Sequence, residues 1–284
     1  MAGDNAARPE PKELLLGLPR NLALRILSTA VILPPAALFI MLGDLYFAGF
    51  VALIGGCMAW EWSRIVHDDD NIFLAIIAAA GCGIVVGTSA LIEPRVVGYC
   101  LVGLLILVLL AASIAQAPRR TWIVLGCVIA CAPCLATLWL RENDPLGLPL
   151  LVWLITSVAA TDVGAYITGK SIGGARLAPR ISPKKTWSGL VGGMVASGGI
   201  GFFCGSLIDP ADPKVLAVAG AMMAVIAQIG DLLESGFKRR FSVKDSGTLI
   251  PGHGGVLDRL DGHMTVITVV AIIAMVSGQS PLLW

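Results

Sequence analysis

Residues 230–261, GDLLESGFKRRFSVKDSGTLIPGHGGVLDRLD, hold the densest set of groups able to do chemistry. Five carboxylates (Asp231, Glu234, Asp245, Asp258, Asp261) and five cations share the stretch with a turn built on Pro251-Gly252-His253-Gly254-Gly255. Asp258 and Asp261 are spaced i, i+3, so a helix there presents both carboxylates on one face. Asp231, near the end of the preceding apolar run, is placed to join them. Three carboxylates from two elements beside a cationic loop suit a hard divalent cation such as Mg2+, which completes its shell with water and substrate phosphates. Helix capping is the alternative reading of Asp258 and Asp261. Lys238, Lys244 and Arg259 lie close enough in sequence to the acids to contact phosphate or pyrophosphate. Arg240 reads as a topology-setting or headgroup cation. His253, flanked by glycines, is open as a phosphate donor, general acid or loop-ordering residue.

A second stretch, residues 161–189, mixes Gly, Pro and Lys/Arg in the same way. Glycines let the backbone approach a phosphate, N–H groups donate and cations neutralise. Neither stretch contains G-x-x-x-x-G-K-[ST] or a strand-bound G-x-G-x-x-G, so neither is a P-loop or a Rossmann site. Asp162 precedes the end of its apolar run by about seven residues, ~10 Å of helix. A carboxylate at that depth needs a cation, a proton or a water-filled cavity. It is placed to share a cavity with Asp231.

These groups sit in a chain made mostly of hydrocarbon. Of its 284 residues, 56% are hydrophobic and 14% charged, against roughly 25% charged in ordinary globular chains, and the mean hydropathy is +0.84. Apolar runs at 22–42, 45–60, 72–92, 96–115, 121–140, 148–169, 189–208, 214–235 and 263–284 lie near the ~20 residues that cross a bilayer. They predict an all-α polytopic integral membrane protein with roughly nine transmembrane helices. Residues 1–21 read as a cytosolic tail or interfacial helix, 22–147 as an N-terminal bundle, and 148–284 as a C-terminal catalytic region with two loops, 170–188 and 236–262. The first run is too long and too far from the N-terminus for a secretory signal, and Pro34-Pro35 predicts a kink in it.

Alternating the connections puts every Lys and Arg except Arg95, Arg141 and Lys214 on one side. The positive-inside rule makes that side cytoplasmic, with the N-terminus and both charged loops. A bacterial-type inner membrane is the expected location. Seven cysteines fall inside apolar runs, where they act as small hydrophobes, and no disulfide framework is implied. Packing is also the reading for Cys127, Cys131 and Cys134, which share a helical face. Gly189, Gly193, Ser197, Gly201 and Gly205 place a small residue at every fourth position, a face for close helix approach. The run His67-Asp68-Asp69-Asp70 reads as a solvated loop.

The pattern Ser235-x-Phe237-Lys238-Arg239-x4-Lys244-Asp245-x-Gly247-x2-Ile250-Pro251-x-His253-Gly254-Gly255-Val256-x-Asp258-Arg259-Leu260-Asp261 resembles the signature of phosphatidate cytidylyltransferases, the CDP-diacylglycerol synthases. Thr161-Asp162-x-Gly164-Ala165-Tyr166 and Ser182-Pro183-Lys184-Lys185-Thr186-Trp187 are similar to that family's other blocks. The likeness covers about the second half of the chain; one departure is Ala227, where the pattern would place a serine. The resemblance implies a membrane enzyme joining phosphatidic acid to CTP, with CDP-diacylglycerol and pyrophosphate as products. It implies Mg2+ dependence, with a second, monovalent cation such as K+ as an option, and a homodimer with no nucleic-acid partner. It carries metal-ligand roles to Asp231, Asp258 and Asp261 and substrate-phosphate roles to Ser235 and Lys238. Asp162, Ser182, Lys184, Lys185 and Thr186 come with it as substrate-binding candidates, beside Lys244. Lys238, Asp258, Arg259, Asp261 and His253 form the expected catalytic set.

Two rival functions are weaker on the residues. A cation- or proton-coupled transporter would use Asp162 and Asp231 as an ion path, yet the two halves show no internal repeat. A CDP-alcohol phosphotransferase would need a D-G-x2-A-R…G-x3-D-x3-D spacing, which is absent.

Overall fold

The computed structural model describes residues 14–15, 18–67, 72–143, 146–252 and 254–283. Among them are nine α-helices: α1 (Arg20–Leu42), α2 (Asp44–His67), α3 (Ile72–Thr88), α4 (Pro94–Ile114), α5 (Arg120–Asn143), α6 (Gly147–Ser171), α7 (Trp187–Leu207), α8 (Pro213–Arg240) and α9 (Leu257–Ser277). Seven are long and apolar enough to cross a membrane, while α3 and the apolar part of α1 are shorter. The protein is thus an all-α polytopic membrane protein. Two short hairpins complete it: β1 (Leu14–Leu15) with β2 (Leu18–Pro19), and β3 (Arg176–Ala178) with β4 (Ser182–Thr186). Of the interfacial segment expected before residue 22, the described part holds the first hairpin and the start of α1.

Several ends differ from the sequence expectation, and each for a local reason. The helix α2 runs to His67 rather than stopping near residue 60, because Glu61, Ser63 and Arg64 lower the hydropathy without breaking the helix. Likewise α8 continues to Arg240, carried by good helix formers through a charged last turn that suits the negative end of the helix dipole. The last helix starts at Leu257, not 263, so Asp258 and Asp261 lie inside its first two turns. The charged loop therefore contracts from 236–262 to 241–256. In α1, Pro34 and Pro35 stand inside one continuous helix, and α5 likewise accommodates Pro133.

Packing divides by side-chain size. The buried residues of α7 are Gly189, Gly193, Ser197, Gly201 and Gly205, the small stripe read from the sequence. Through it α7 packs between α6 and α8, and Ser197 donates to the Gly220 carbonyl at 2.7 Å. Larger side chains join α2, α3 and α5, where Cys82, Cys127, Cys131 and Cys134 are buried. Contacts from α9 reach α2, α5, α6 and α8, so it touches helices of both halves.

Aromatic groups fix one end of the bundle. Trp62 stacks on Phe237 with centroids 3.6 Å apart, and Trp122 meets Phe241 edge-on at 5.3 Å. Each such pair contributes about 0.5–1.5 kcal/mol beyond area burial. The Arg119 guanidinium covers the Phe241 ring and donates to the Val66 carbonyl at 3.1 Å. The ends of α2 and α8 and the start of α5 are thereby tied where the hairpin β3–β4 and the 241–256 loop emerge.

A Cβ at Gly201 would collide with the Leu216 carbonyl of α8, whereas Gly199 faces open space. Gly201→Leu is expected to destabilise the detergent-solubilised protein by roughly 1–3 kcal/mol. Gly199→Leu should leave its thermal midpoint unchanged in the same melt.

Candidate active site

Helix α8 delivers two acids to one face, Asp231 and Glu234 at i, i+3. Asp261 approaches from the second turn of α9. One carboxylate oxygen from each of the three lies within 4.8 Å of the others. The helices come this close because Gly230 faces α9: a Cβ there would run into Thr265 and the Asp261 carbonyl. Glu234 is buried, and its Oε1 has no hydrogen-bond partner. Asp162, on α6, feels the charges of Asp231, Lys185 and Arg259 and in turn acts on Asp261.

Asp258 is held by other partners. Its Oδ1 accepts from Lys238 Nζ at 2.6 Å, and its Oδ2 accepts from the Ser246 and Gly255 backbone N–H groups at 2.8 and 2.9 Å. Among the described residues the three-acid cluster includes Glu234 and not Asp258. Lys238 also reaches Glu234 Oε2 at 2.9 Å. Its ammonium thus joins the last turns of α8 to the first turn of α9.

The hairpin β3–β4 brings a cation to the acids. Lys185 Nζ lies 2.5 Å from Asp231 Oδ2. Antiparallel pairing sets Arg176 opposite Thr186 and Ala178 opposite Ser182, and Arg176 donates to the Pro183 carbonyl. Left-handed Gly173 and Gly174 (φ 66° and 104°) turn the chain from α6 into β3. Thr186 caps α7, accepting from Gly189 N–H at 3.1 Å, so its hydroxyl has a structural use. Ser182 is half-buried, and Lys184 is exposed.

Ser235 donates to Asp231 Oδ1 at 3.2 Å. Lys244 and Arg259 are exposed on the rim, in the loop and on the first turn of α9. His253 lies outside the described residues. The loop between α8 and α9 closes with Ile250 and Gly254 exchanging backbone hydrogen bonds, Gly254 at φ 88°.

Two acids go beyond the sequence reading. Glu234 stood among the five carboxylates of the charged stretch, and its spacing from Asp231 was the signal that could have assigned it. The other is Glu61 of α2, 2% exposed. Its carboxylate accepts from Val256 N–H and Leu257 N–H, each at 2.9 Å, and from Ser246 Oγ at 3.1 Å. Val256, the N-cap of α9, offers no side-chain cap of its own. The signal in the sequence was an acid four residues beyond Cys57 in a run that continues to His67; ending that run at residue 60 hid it.

Taken as ionised, Asp162, Asp231, Glu234, Asp258 and Asp261 face Lys185, Lys238 and Arg259, a surplus of two negative charges among these groups. A divalent cation would offset such a surplus, leaving the lysines and Arg259 to meet phosphate oxygens.

A sequence profile described as "Cytidylyltransferase family" matches residues 23–277. The chain is 36% identical over 248 residues to a phosphatidate cytidylyltransferase of Brucella suis biovar 1, covering 85% of this chain and 89% of that protein. It is 33% identical over 269 residues to one of Brucella abortus biovar 1, covering 93% and 97%. With one of Pseudomonas aeruginosa the identity is 34% over 262 residues, covering 88% and 96%. The match extends through the N-terminal helices as well as the charged stretches, and on that breadth the chain belongs to the cytidylyltransferase family.

Proposed function

We propose that the protein transfers the cytidylyl group of CTP to phosphatidic acid, giving CDP-diacylglycerol and pyrophosphate, at a site on the cytoplasmic side of a bacterial-type inner membrane. One observation carries the reading: Asp231, Glu234 and Asp261 converge between a cationic hairpin and a cationic loop at one end of an apolar bundle. The placement of the cations on that end supports the cytoplasmic orientation. A second, monovalent cation and a homodimer belong to this reading by resemblance alone.

The three acids fit Mg2+. They offer hard oxygen donors on two helices, and the unpartnered Glu234 Oε1 is a buried acceptor that a cation would satisfy. When bound, Mg2+ supplies charge neutralisation and Lewis acidity toward the triphosphate.

A phosphatidate oxygen attacks the α-phosphorus of CTP. The bond from that phosphorus to the oxygen bridging the β-phosphate breaks, and the electron pair leaves with pyrophosphate. The lipid phosphate is anionic at neutral pH, so the protein need not furnish a nucleophile. Its contribution is positioning and electrostatics. Lys185 brings a positive charge to the edge of the acid cluster, while Lys184, Lys244 and Arg259 offer exposed charges to phosphate oxygens. Lys238, committed to Glu234 and Asp258, holds α8 against α9.

Acyl chains have a place nearby. An apolar groove of about 640 Å³ between α6 and α7 is lined by Ile167, Trp187, Val191 and Val195. Trp187 follows Lys185 by two residues, so the groove opens beside the charged end. A phosphatidate acyl chain in this groove would keep its headgroup at the acids.

Purified protein given labelled CTP, phosphatidate and Mg2+ should release labelled CDP-lipid, and chelation with EDTA should stop it; turnover without a divalent cation would sink the metal assignment. Asp261→Asn is expected to lower kcat by roughly 100-fold or more, about 2.7 kcal/mol, in protein that melts normally, and Glu234→Gln to lower kcat as much with a reduced thermal midpoint, because it also removes a charge from the Lys238 pair. Lys238→Met should act on stability as well. It leaves Asp258 without its cation and is expected to cost about 3 kcal/mol, seen as a lower thermal midpoint. Val195→Trp should raise KM for phosphatidate and leave KM for CTP unchanged; an unchanged lipid KM would remove the groove from the site.

A further inference from the structure

We infer that Glu61, on a helix outside the charged stretches, is a positioning residue for the reaction: it holds the first turn of α9 in the register that presents Asp261. The inference rests on the proposed function and adds a group from the N-terminal half to it.

A carboxylate in a membrane helix is unfavourable unless donors satisfy it. Glu61 sits six residues before the end of α2 and is 2% exposed. Three donors converge on it, all from the end of the chain that carries the acids. Two are the N–H groups of Val256 and Leu257. They belong to the unsatisfied set that opens every helix and that a side chain usually caps locally. Here the cap comes from 195 residues away. The positive end of the α9 dipole adds to the attraction.

The third donor extends the connection. Ser246 Oγ binds Glu61, while Ser246 N–H binds Asp258, which takes Lys238, which takes Glu234. Glycines make room for this arrangement. A Cβ at Gly247 would lie 2.9 Å from Glu61 Oε1, and one at Gly255 would overlap Ser246 Oγ. The carboxylate thus fills the space under the loop and fixes both the loop and the start of α9. Asp261 follows Leu257 by four residues, about 6 Å of helix rise. Any shift of the first turn moves its oxygens relative to Asp231 and Glu234.

Charge and shape can be separated by Glu61→Gln, which keeps the size but turns an amide toward a backbone donor. The experiment combines steady-state kinetics of the detergent-solubilised full chain with hydrogen–deuterium exchange, read without substrate. The expected result is faster exchange confined to residues 245–262, a thermal midpoint close to that of the unmutated protein, and kcat lower by roughly 10–100-fold with KM for CTP little changed. Ser246→Ala removes the hydroxyl arm alone, and should give the same local exchange pattern with a smaller loss of kcat; it carries the test if Glu61→Gln does not fold. Unchanged exchange in 245–262, or faster exchange there with unaltered kcat, would overturn the inference. So would faster exchange throughout the bundle with a collapsed midpoint, the mark of a purely structural acid. Absence of CDP-lipid from the unmutated protein would overturn the proposed reaction and this role with it, and is read before any variant is made.

Discussion

The pair of contacts made by the Lys238 ammonium, to Glu234 and to Asp258, is the constraint on which the charged end of the bundle depends. Lys238 and both of its acids are largely buried, at 12% and 7% side-chain exposure. Groups this buried are held only by mutual compensation and saturated hydrogen bonding. Asp258 meets the demand with one ammonium and two backbone N–H groups. Glu234 meets it on one oxygen only, and its other oxygen has no hydrogen-bond partner. Two carboxylates that share one lysine thus differ in how fully their oxygens are satisfied.

The architecture was legible because lipid imposes it. Each stretch of hydrocarbon near 20 residues became a helix among the described residues, nine in all, of which seven are long and apolar enough to span a membrane. Helix ends were less legible, since hydropathy marks where a helix leaves hydrocarbon and not where its hydrogen bonds stop. That is why α2 and α8 overrun and α9 begins early, with consequences at the site. The small stripe of α7 was readable because only small residues allow backbones to approach so closely.

The site was legible by composition and less so by role. Asp231 and Asp261 do come together, and Asp162 lies within their electrostatic reach. That Asp258 would turn to the Ser246 and Gly255 amides depends on the path of the 241–256 loop, which spacing along the chain does not encode. Thr186, a substrate-binding candidate by resemblance, also serves the N-terminus of α7 with its hydroxyl, a contact that the residue type alone does not reveal. Glu61 was the hardest to find: its partners are nearly two hundred positions away, and an isolated acid carries no periodicity.

The path of the chain gives this last contact a bearing on biogenesis. During synthesis α2 enters the membrane long before Ser246, Val256 and Leu257 exist. Every partner of the Glu61 carboxylate lies in the final forty residues of the sequence. A chain that stops short of Ser246 holds the Glu61 carboxylate with none of those partners, an unfavourable state for an acid in a membrane helix. Satisfaction of that acid and completion of the charged pocket therefore both wait on the segment from Ser246 to Asp261.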